Sequence, residues 1–436
     1  MNILLFSSCL NSSDSIIEYP TDPQIYAISV SSRTDTASLL SGVVFTIDQV
    51  KGEIFNREPL PYLFKVDSAT LNLTASNSYY SFFRIDLRLD DSDDYYTWKG
   101  DSIAINRLRE IKTTAPDGVT AKNYKFQLNI YQNDPDSISW EKIKEKDPTP
   151  PAASQKTVAH NNLFFTYYRS GTEMKAVSSS DGKNWSGVNL SGMPHTVTLS
   201  SLITSGNAIY ALDTASGSVY RSSNGAAWNL LQTNYKVAAL YGELPFASPG
   251  NILLAVKDVG NLKFARAGND LSVITPMNDI PAGMPVTDFS AIKVESSSSY
   301  ASKFIFLSGG TKVDNTPNED IWVIQEDEGV IKYIKSKRPT EATLKGSSLF
   351  FYDDKPWMIV TSSAGKNLLM YSENYGVDWI EAGENQVLPD DFTGRTNASV
   401  ITDTDNYIWI FGGISSSDNT PFADVWKGRL NKFGSV

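Results

Sequence analysis

The string Ser179-Ser180-Asp181-Gly182-Lys183-Asn184-Trp185 is written again as Ser222-Ser223-Asn224-Gly225-Ala226-Ala227-Trp228, with the two tryptophans 43 residues apart. A looser copy, Ser372-Glu373-Asn374-Tyr375-Gly376-Val377-Asp378-Trp379, holds one extra residue before its glycine. Each copy follows an apolar run and precedes a short strand-like run, so it reads as a tight turn closing a hairpin. Self-similarity at a period of roughly 40 to 50 residues in an all-strand context predicts propeller blades.

The tryptophans also count the blades. A degenerate copy at Ala265 to Leu271 falls 43 residues beyond Trp228. The apolar runs ending in Gly309-Gly310 and Gly412-Gly413 are then each followed by Asp-Asn-Thr-Pro, at Asp314 and Asp418, leading to Trp322 and Trp426. Those tryptophans are 104 residues apart, the length of two blades, with Trp379 between them. Six blades follow, at 156–195, 196–238, 239–285, 286–338, 339–390 and 391–436. The sixth lacks a last strand. Upstream, Trp140 stands in its segment where Trp185 and Trp228 stand in theirs, so 137–144 is expected to pair with the final blade and remove two open strand edges. Pro148-Thr149-Pro150-Pro151 then leads stiffly into the first blade.

Before the propeller, the runs Ile25–Val30, Gly42–Ile47, Ala69–Leu73, Phe82–Leu89 and Lys125–Ile130 alternate or cluster apolar residues between Gly, Pro, Asn and Asp. This predicts a small antiparallel sandwich. The fold class expected is all-β, an immunoglobulin-like β-sandwich over 20–136 and a six-bladed β-propeller over 137–436. Asp90-Asp91-Ser92-Asp93-Asp94 has the carboxylates of a calcium loop but lacks its glycine turn and distal bidentate Glu, which favours a solvated hairpin tip.

Composition narrows the function classes. With 49 acidic against 38 basic residues and a net charge of -11, the chain lacks the Lys and Arg clusters that phosphate backbones require, so nucleic acid is not expected as a partner. Cys9 is the sole cysteine and His160 and His195 the only histidines. An intrachain disulfide is excluded, and so is a Cys/His zinc site; no metal or cofactor is expected. No apolar window of about 18 residues offers a membrane-spanning helix.

The start of the chain, an apolar run ending in Phe6-Ser7-Ser8-Cys9 and followed by a Ser-rich stretch, resembles the end of a bacterial lipoprotein signal. In such signals the cysteine becomes an acylated N-terminus, which would make residues 1–19 a signal remnant and flexible tether and place the protein in the cell envelope. No Lys or Arg precedes the run, and Phe6 stands where the family has Leu; a start upstream of Met1 would supply the missing charges. A frayed terminus with a chance cysteine is the other reading.

Further resemblances rest on longer strings. Phe45-Thr46-Ile47-Asp48-Gln49, Gly52-Glu53-Ile54-Phe55-Asn56, Leu60-Pro61-Tyr62 and Tyr131-Gln132-Asn133-Asp134-Pro135-Asp136-Ser137 resemble a family of Bacteroidetes lipoproteins of unknown function. The resemblance implies an N-terminal immunoglobulin-like domain, a C-terminal propeller and a cell-envelope location. It implies no activity. Within the propeller, the Ser-Asp-Gly-Trp turns resemble Asp-box repeats, and the paired glycines followed by tryptophan resemble kelch repeats.

The motif residues are expected to do structural work. Asp181, Asn224 and Asn374 would accept from backbone N–H groups of their own turns, Gly182, Gly225 and Gly376 would take positive backbone angles, and Trp185, Trp228 and Trp379 would pack between blades. Gly309, Gly310, Trp322, Gly412, Gly413 and Trp426 mark the kelch-like turns. No catalytic residue is assigned. A sialidase-like glycoside hydrolase would need an arginine cluster and a Tyr/Glu pair at the axis. The arginines beyond residue 150 are Arg169, Arg221, Arg266, Arg338, Arg395 and Arg429, without a Phe/Tyr-Arg-Ile-Pro segment. Galactose oxidase chemistry needs a Tyr–Cys crosslink that Cys9 cannot supply, and no Gly-x-Ser-x-Gly elbow supports a serine hydrolase; the two histidines read as turn or strand-end residues. The function expected is therefore a non-enzymatic binding module that meets a glycan or protein ligand at a propeller face and a membrane only through its lipid anchor, with the sialidase-like hydrolase as the alternative. Trp98, Tyr352 and Trp357 lie outside the turn motifs and are candidates for stacking on sugar rings. The axial opening discriminates: three or more Arg with a Tyr/Glu pair favour hydrolysis, an apolar aromatic rim favours binding.

Overall fold

The structure is a computed structural model that describes residues 18–66, 68–75, 80, 82–90, 92–145, 152–244, 251–295, 303–336, 339 and 342–433. Cys9, most of the expected tether, Asp91, Arg338 and the Pro148–Pro151 stretch lie outside the described residues. Two compact units divide the chain, one within 1–135 and the other over Asp136–Phe433. Among the described residues the only helical segments are three single 3-10 turns, and no helix is long and apolar enough to cross a membrane.

In the first unit a six-stranded sheet has the order Phe45–Asp48, Glu53–Asn56, Ala121–Gln127, Leu108–Thr114, Arg84–Leu89 and Tyr96–Thr97. A separate pair, Ile25–Ser31 with Thr70–Ala75, contributes Ile25, Val30 and Leu71 to a core shared with Ile54, Leu87, Ile111, Tyr124 and Phe126 of the large sheet. Period-two alternation puts Tyr124 and Phe126 inside while Lys125 faces solvent. One expectation needs correction, because the sheet is not wholly antiparallel: Glu53–Asn56 runs parallel to Ala121–Gln127. Parallel neighbours need a long crossover, which the intervening strands supply. The two ends are tied by Asn129, whose N–H donates to Asn56 Oδ1 at 2.7 Å and whose Nδ2 donates to the Asn56 carbonyl at 2.7 Å. A one-sequence alternation pattern shows which face is buried but not which strand lies alongside. Asp90, the first residue of the acidic run, pairs with Arg107 and Arg109, and no metal-binding cluster occurs among the described residues.

Among the described residues the second unit contains six antiparallel sheets. Sheet 1 runs from Gln155–His160 through Leu163–Ser170 and Glu173–Ser179 to Ser186–Val188. Sheets 2 to 5 repeat this up-and-down order and begin with Thr198–Ser205, Val237–Glu243, Thr287–Glu295 and Ala342–Tyr352. Second strands such as Ala208–Asp213 are buried along their whole length, which is why they read as continuous apolar runs: both of their faces are covered. Sheet 6 combines Arg395–Thr396 and Ser399–Thr402 with Ile408–Ser415, Pro421–Leu430 and, outermost, Ile138–Glu145. That last strand is antiparallel to Pro421–Leu430, with Trp140 opposite Gly428. A Cβ on Gly428 would lie 2.4 Å from the Trp140 ring, so the indole occupies the space that a side chain would need.

The first strands of successive sheets pack against one another from sheet 1 to sheet 6, and the Ser399–Thr402 strand returns to pack on Gln155–His160. Short hydroxyl side chains join them. Ser399 Oγ accepts from Thr157 N–H at 2.9 Å between sheets 6 and 1. Ser348 Oγ donates to the Ala398 carbonyl at 2.7 Å between sheets 5 and 6, and Ser290 Oγ accepts from Leu349 N–H at 2.9 Å between sheets 4 and 5.

Candidate functional site

Where these first strands meet, they surround an open cavity of about 520 Å³. Its shape comes from irregularity. The first strand of sheet 2 slips register between Thr198 and Ile203, and that of sheet 5 between Thr343 and Ser348. The extra residues of such bulges leave the ladder and turn side chains and backbone elsewhere; Ser200 from the first bulge and Lys345 and Ser347 from the second line the cavity. Among the described residues sheet 3 contributes none to the lining. Across it, Ser200 Oγ donates to Asp288 Oδ1 at 2.7 Å and joins sheet 2 directly to sheet 4.

Among the described residues, the charged groups that line this cavity are three cations, Lys156, Arg169 and Lys345, and one carboxylate, Asp288. Lys156 is half-buried on the first strand of sheet 1, and its amine has no hydrogen-bond or ion-pair partner among the described residues. Crowding by protein atoms holds its pKa below the ordinary lysine value, because desolvation penalises the ammonium form. Arg169 donates from Nη2 to the Val197 carbonyl at 3.0 Å and leaves the rest of its guanidinium unpaired among the described residues. Lys345 is exposed, likewise without an amine partner among the described residues. Hydroxyls from Ser154, Thr198, Ser290, Thr311 and Ser347 fill much of the remaining wall, and Phe289 is its one aromatic ring.

The motif residues lie elsewhere, except Gly310, which lines the cavity. Asp181 Oδ1 accepts from the Lys183 and Asn184 N–H groups at 2.9 and 2.7 Å, Asn224 Oδ1 from Ala226 and Ala227, and Asn374 Oδ1 from Asp378. These bonds hold the Asp181 carboxyl far below the usual carboxylate range, with the Asn184 N–H the largest contributor. The turn glycines press on the sheet before their own. A Cβ at Gly182, Gly225 or Gly376 would come within 2.5 Å of Trp409, Phe165 and Phe306 respectively. Trp185 meets Phe411 edge-on, Trp228 meets Tyr167 and Trp379 meets Phe306, each a contact between neighbouring sheets. Trp228 is buried, and its indole N–H has no partner among the described residues.

One expectation about aromatics is corrected. Tyr352 and Trp357 are 1% and 2% exposed, packed against each other in the core between sheets 5 and 6, so neither can stack on a ligand. Trp98 is half-buried against the first unit's core. Among the described arginines beyond residue 150, Arg169 alone lines the cavity. Arg221 lies over Tyr210, Arg266 pairs with Glu326, Arg429 lies over Tyr407, and Arg395 is buried against Asp424. His160 ends its strand with Nε2 against the Ser223 carbonyl at 2.9 Å, and His195 sits in a turn. Sequence reasoning passed over Lys156, Lys345 and Asp288, which carry no motif and meet only through the fold.

An all-β chain with a propeller domain is the class this architecture defines. The chain belongs to the family described as the DUF6242 beta propeller domain, whose model matches residues 134–435; residues 23–128 match the DUF6242 N-terminal domain, a domain of unknown function. No curated protein matches the chain. Among solved structures, YjhT is 12% identical with a TM-score of 0.46, over 65% of this chain and 96% of its own. A protein of unknown function from Bacteroides thetaiotaomicron VPI-5482 is 10% identical with a TM-score of 0.43, over 89% of this chain and 98% of its own. Virginiamycin B lyase from Staphylococcus aureus is 14% identical with a TM-score of 0.39, over 67% of this chain and 99% of its own.

Proposed function

We propose that this protein is a non-enzymatic binding module of the cell envelope, anchored through a lipid on Cys9 and containing an immunoglobulin-like sandwich and a six-bladed propeller. The six sheets, the sequential contacts of their first strands and the pairing of Ile138–Glu145 with Pro421–Leu430 support a ring closed by a strand from just ahead of it. In such a ring the added strand pairs the otherwise open side of Pro421–Leu430, and the sheets keep only the short outer edges that radial repetition leaves. A glycan or protein ligand then has the central cavity as its docking point.

The observation that carries this reading is the charge make-up of the cavity. Glycoside hydrolysis by paired carboxyl groups needs two of them flanking the bond, and the sialidase variant needs a Tyr/Glu pair. The lining residues hold one carboxylate, Asp288, already accepting from Ser200, and neither Tyr nor Glu. The rim is polar, with Phe289 as the aromatic ring among the lining residues, so the apolar aromatic rim expected of a binder is not what supports the reading; the support is an open volume of about 520 Å³, within the usual range for ligand sites, lined by hydrogen-bonding groups without a catalytic pair. The test is a glycan array together with a fluorogenic glycosidase panel on the purified chain. Binding without turnover is the expected result, and measurable turnover overturns it. Metabolic labelling with a clickable fatty acid, abolished by Cys9→Ser, checks the anchor.

A further inference from the structure

We propose that the central cavity takes an acidic saccharide, a sugar bearing carboxylate or sulfate groups, through Lys156, Arg169 and Lys345. This rests on the binding reading above and names the ligand class for the same site. Three cations face one carboxylate there, although the chain as a whole carries a net charge of -11. A local excess of positive charge inside a concave wall focuses the field and favours an anion over the surrounding acidic surface.

Among the described residues none of the three cations is neutralised. Lys156 and Lys345 have unpartnered amines among the described residues, and Arg169 spends one N–H on a backbone carbonyl. A desolvated, unpaired ammonium is costly, and an anion brought within contact distance removes that cost. Burial already holds the Lys156 pKa down; a bound anion raises it again by favouring the charged form. The rest of the wall decides what carries the anion. Hydroxyls from several sheets and a single ring, Phe289, line it, which matches a body rich in hydroxyl groups better than apolar peptide side chains.

Calorimetry with the purified full chain tests this against four probes: trigalacturonic acid, a chondroitin sulfate tetrasaccharide, neutral galactotriose and a hexaglutamate peptide. At least one acidic saccharide is expected to bind about tenfold or more tighter than galactotriose, which corresponds to about 1.4 kcal/mol, and comparison of the first two probes separates carboxylate from sulfate. Lys156→Gln and Lys345→Gln are each expected to weaken that binding about fivefold or more and to flatten its salt dependence. Lys183→Gln, in an exposed turn outside the cavity, serves as the control that leaves it unchanged. Lys345 is exposed on a bulge, so its variant carries the test even where Lys156→Gln lowers folding yield. Equal affinity for neutral and acidic saccharides overturns the anion inference and leaves the binding reading standing. Preference for hexaglutamate over every saccharide also overturns it and turns the binding reading toward a protein ligand. Silence of all four probes overturns both.

Discussion

Sheets 4 and 6 carry the same words, a Gly-Gly pair after a buried strand and then Asp-Asn-Thr-Pro, the latter 104 residues apart, yet they fasten the turn in different ways. In sheet 4 the clamp is a neutral amide. Asn318, 2% exposed, donates from Nδ2 to the Gly309 carbonyl at 2.9 Å and to the Asp320 carbonyl at 2.7 Å, while its Oδ1 accepts from Trp322 Nε1 at 3.2 Å. In sheet 6 the matching position is Phe422, which has nothing to donate. Arg395 takes over from a different strand. Its Nη1 donates to the Gly412 carbonyl at 3.0 Å, its Nη2 to Asp424 Oδ2 at 3.0 Å, and its guanidinium lies between the Phe392 and Phe422 rings. Asp424 in turn accepts from Trp426 Nε1 at 2.9 Å. The backbone demand is constant, one glycine carbonyl and one indole N–H to satisfy, and the side chains that meet it are not.

The largest expected effect separates an ionic clamp from a neutral one. Arg395→Met leaves Asp424 as a nearly buried carboxylate without its cation, and losing one partner of a buried pair costs about 3–5 kcal/mol. Asn318→Ala leaves neutral groups unsatisfied and is expected to cost about 1–3 kcal/mol. Denaturant midpoints of the two variants measure the gap; an Arg395 variant no less stable than the Asn318 variant breaks the comparison. A smaller difference separates the paired glycines. Gly309 and Gly412 both have positive φ, 65° and 54°, so either Gly→Ala change costs about 1–2 kcal/mol from backbone strain alone. A Cβ at Gly309 would also meet the Leu344 carbonyl at 2.3 Å, whereas at Gly412 it would meet the Gln155 side-chain amide at 2.6 Å. Backbone of a neighbouring sheet cannot step aside and a glutamine can. Gly309→Ala is therefore expected to unfold at the lower denaturant concentration, and the reverse order would show that sheet 5 yields more easily than its geometry implies.

What the sequence made legible follows the same division. Turn chemistry is local, so Asp181, Gly182 and their copies, and Asn315 and Asn419 with near-equal φ of 63° and 60°, are visible as strings. The segment at Trp140 could be matched to an absent strand because its pattern is a fragment of a repeat. Arg395 looked like one of several scattered arginines, since its partners Gly412 and Asp424 lie beyond the reach of any local pattern. The cavity is harder still: Lys156, Asp288 and Lys345 come from sheets 1, 4 and 5, and two register slips that no periodicity announces turn part of its lining inward. Tyr352 and Trp357 show the converse, because an aromatic outside a repeated motif can still be core.

The smallest effect tests the part of the two sheets that is alike. Asp314 Oδ1 accepts from Thr316 N–H at 2.9 Å, and Asp418 Oδ1 from Thr420 N–H at 3.0 Å. Both carboxyls have lowered pKa values, Asp314 chiefly through the Thr316 hydroxyl and Asp418 chiefly through the Ser415 hydroxyl. A carboxyl whose folded pKa lies below its unfolded one stabilises the fold above the unfolded value, and that contribution is lost as pH falls through the folded value. Asp314→Asn and Asp418→Asn are thus expected to lower stability slightly and equally at neutral pH, and their difference from the parent chain is expected to shrink in acid below about pH 4. Parallel urea titrations at neutral and acid pH read this directly. A Asp418 variant whose deficit persists in acid would mean that the sheet 6 turn depends on the ionic clamp beside it, and the likeness of the two turns would end at their sequence.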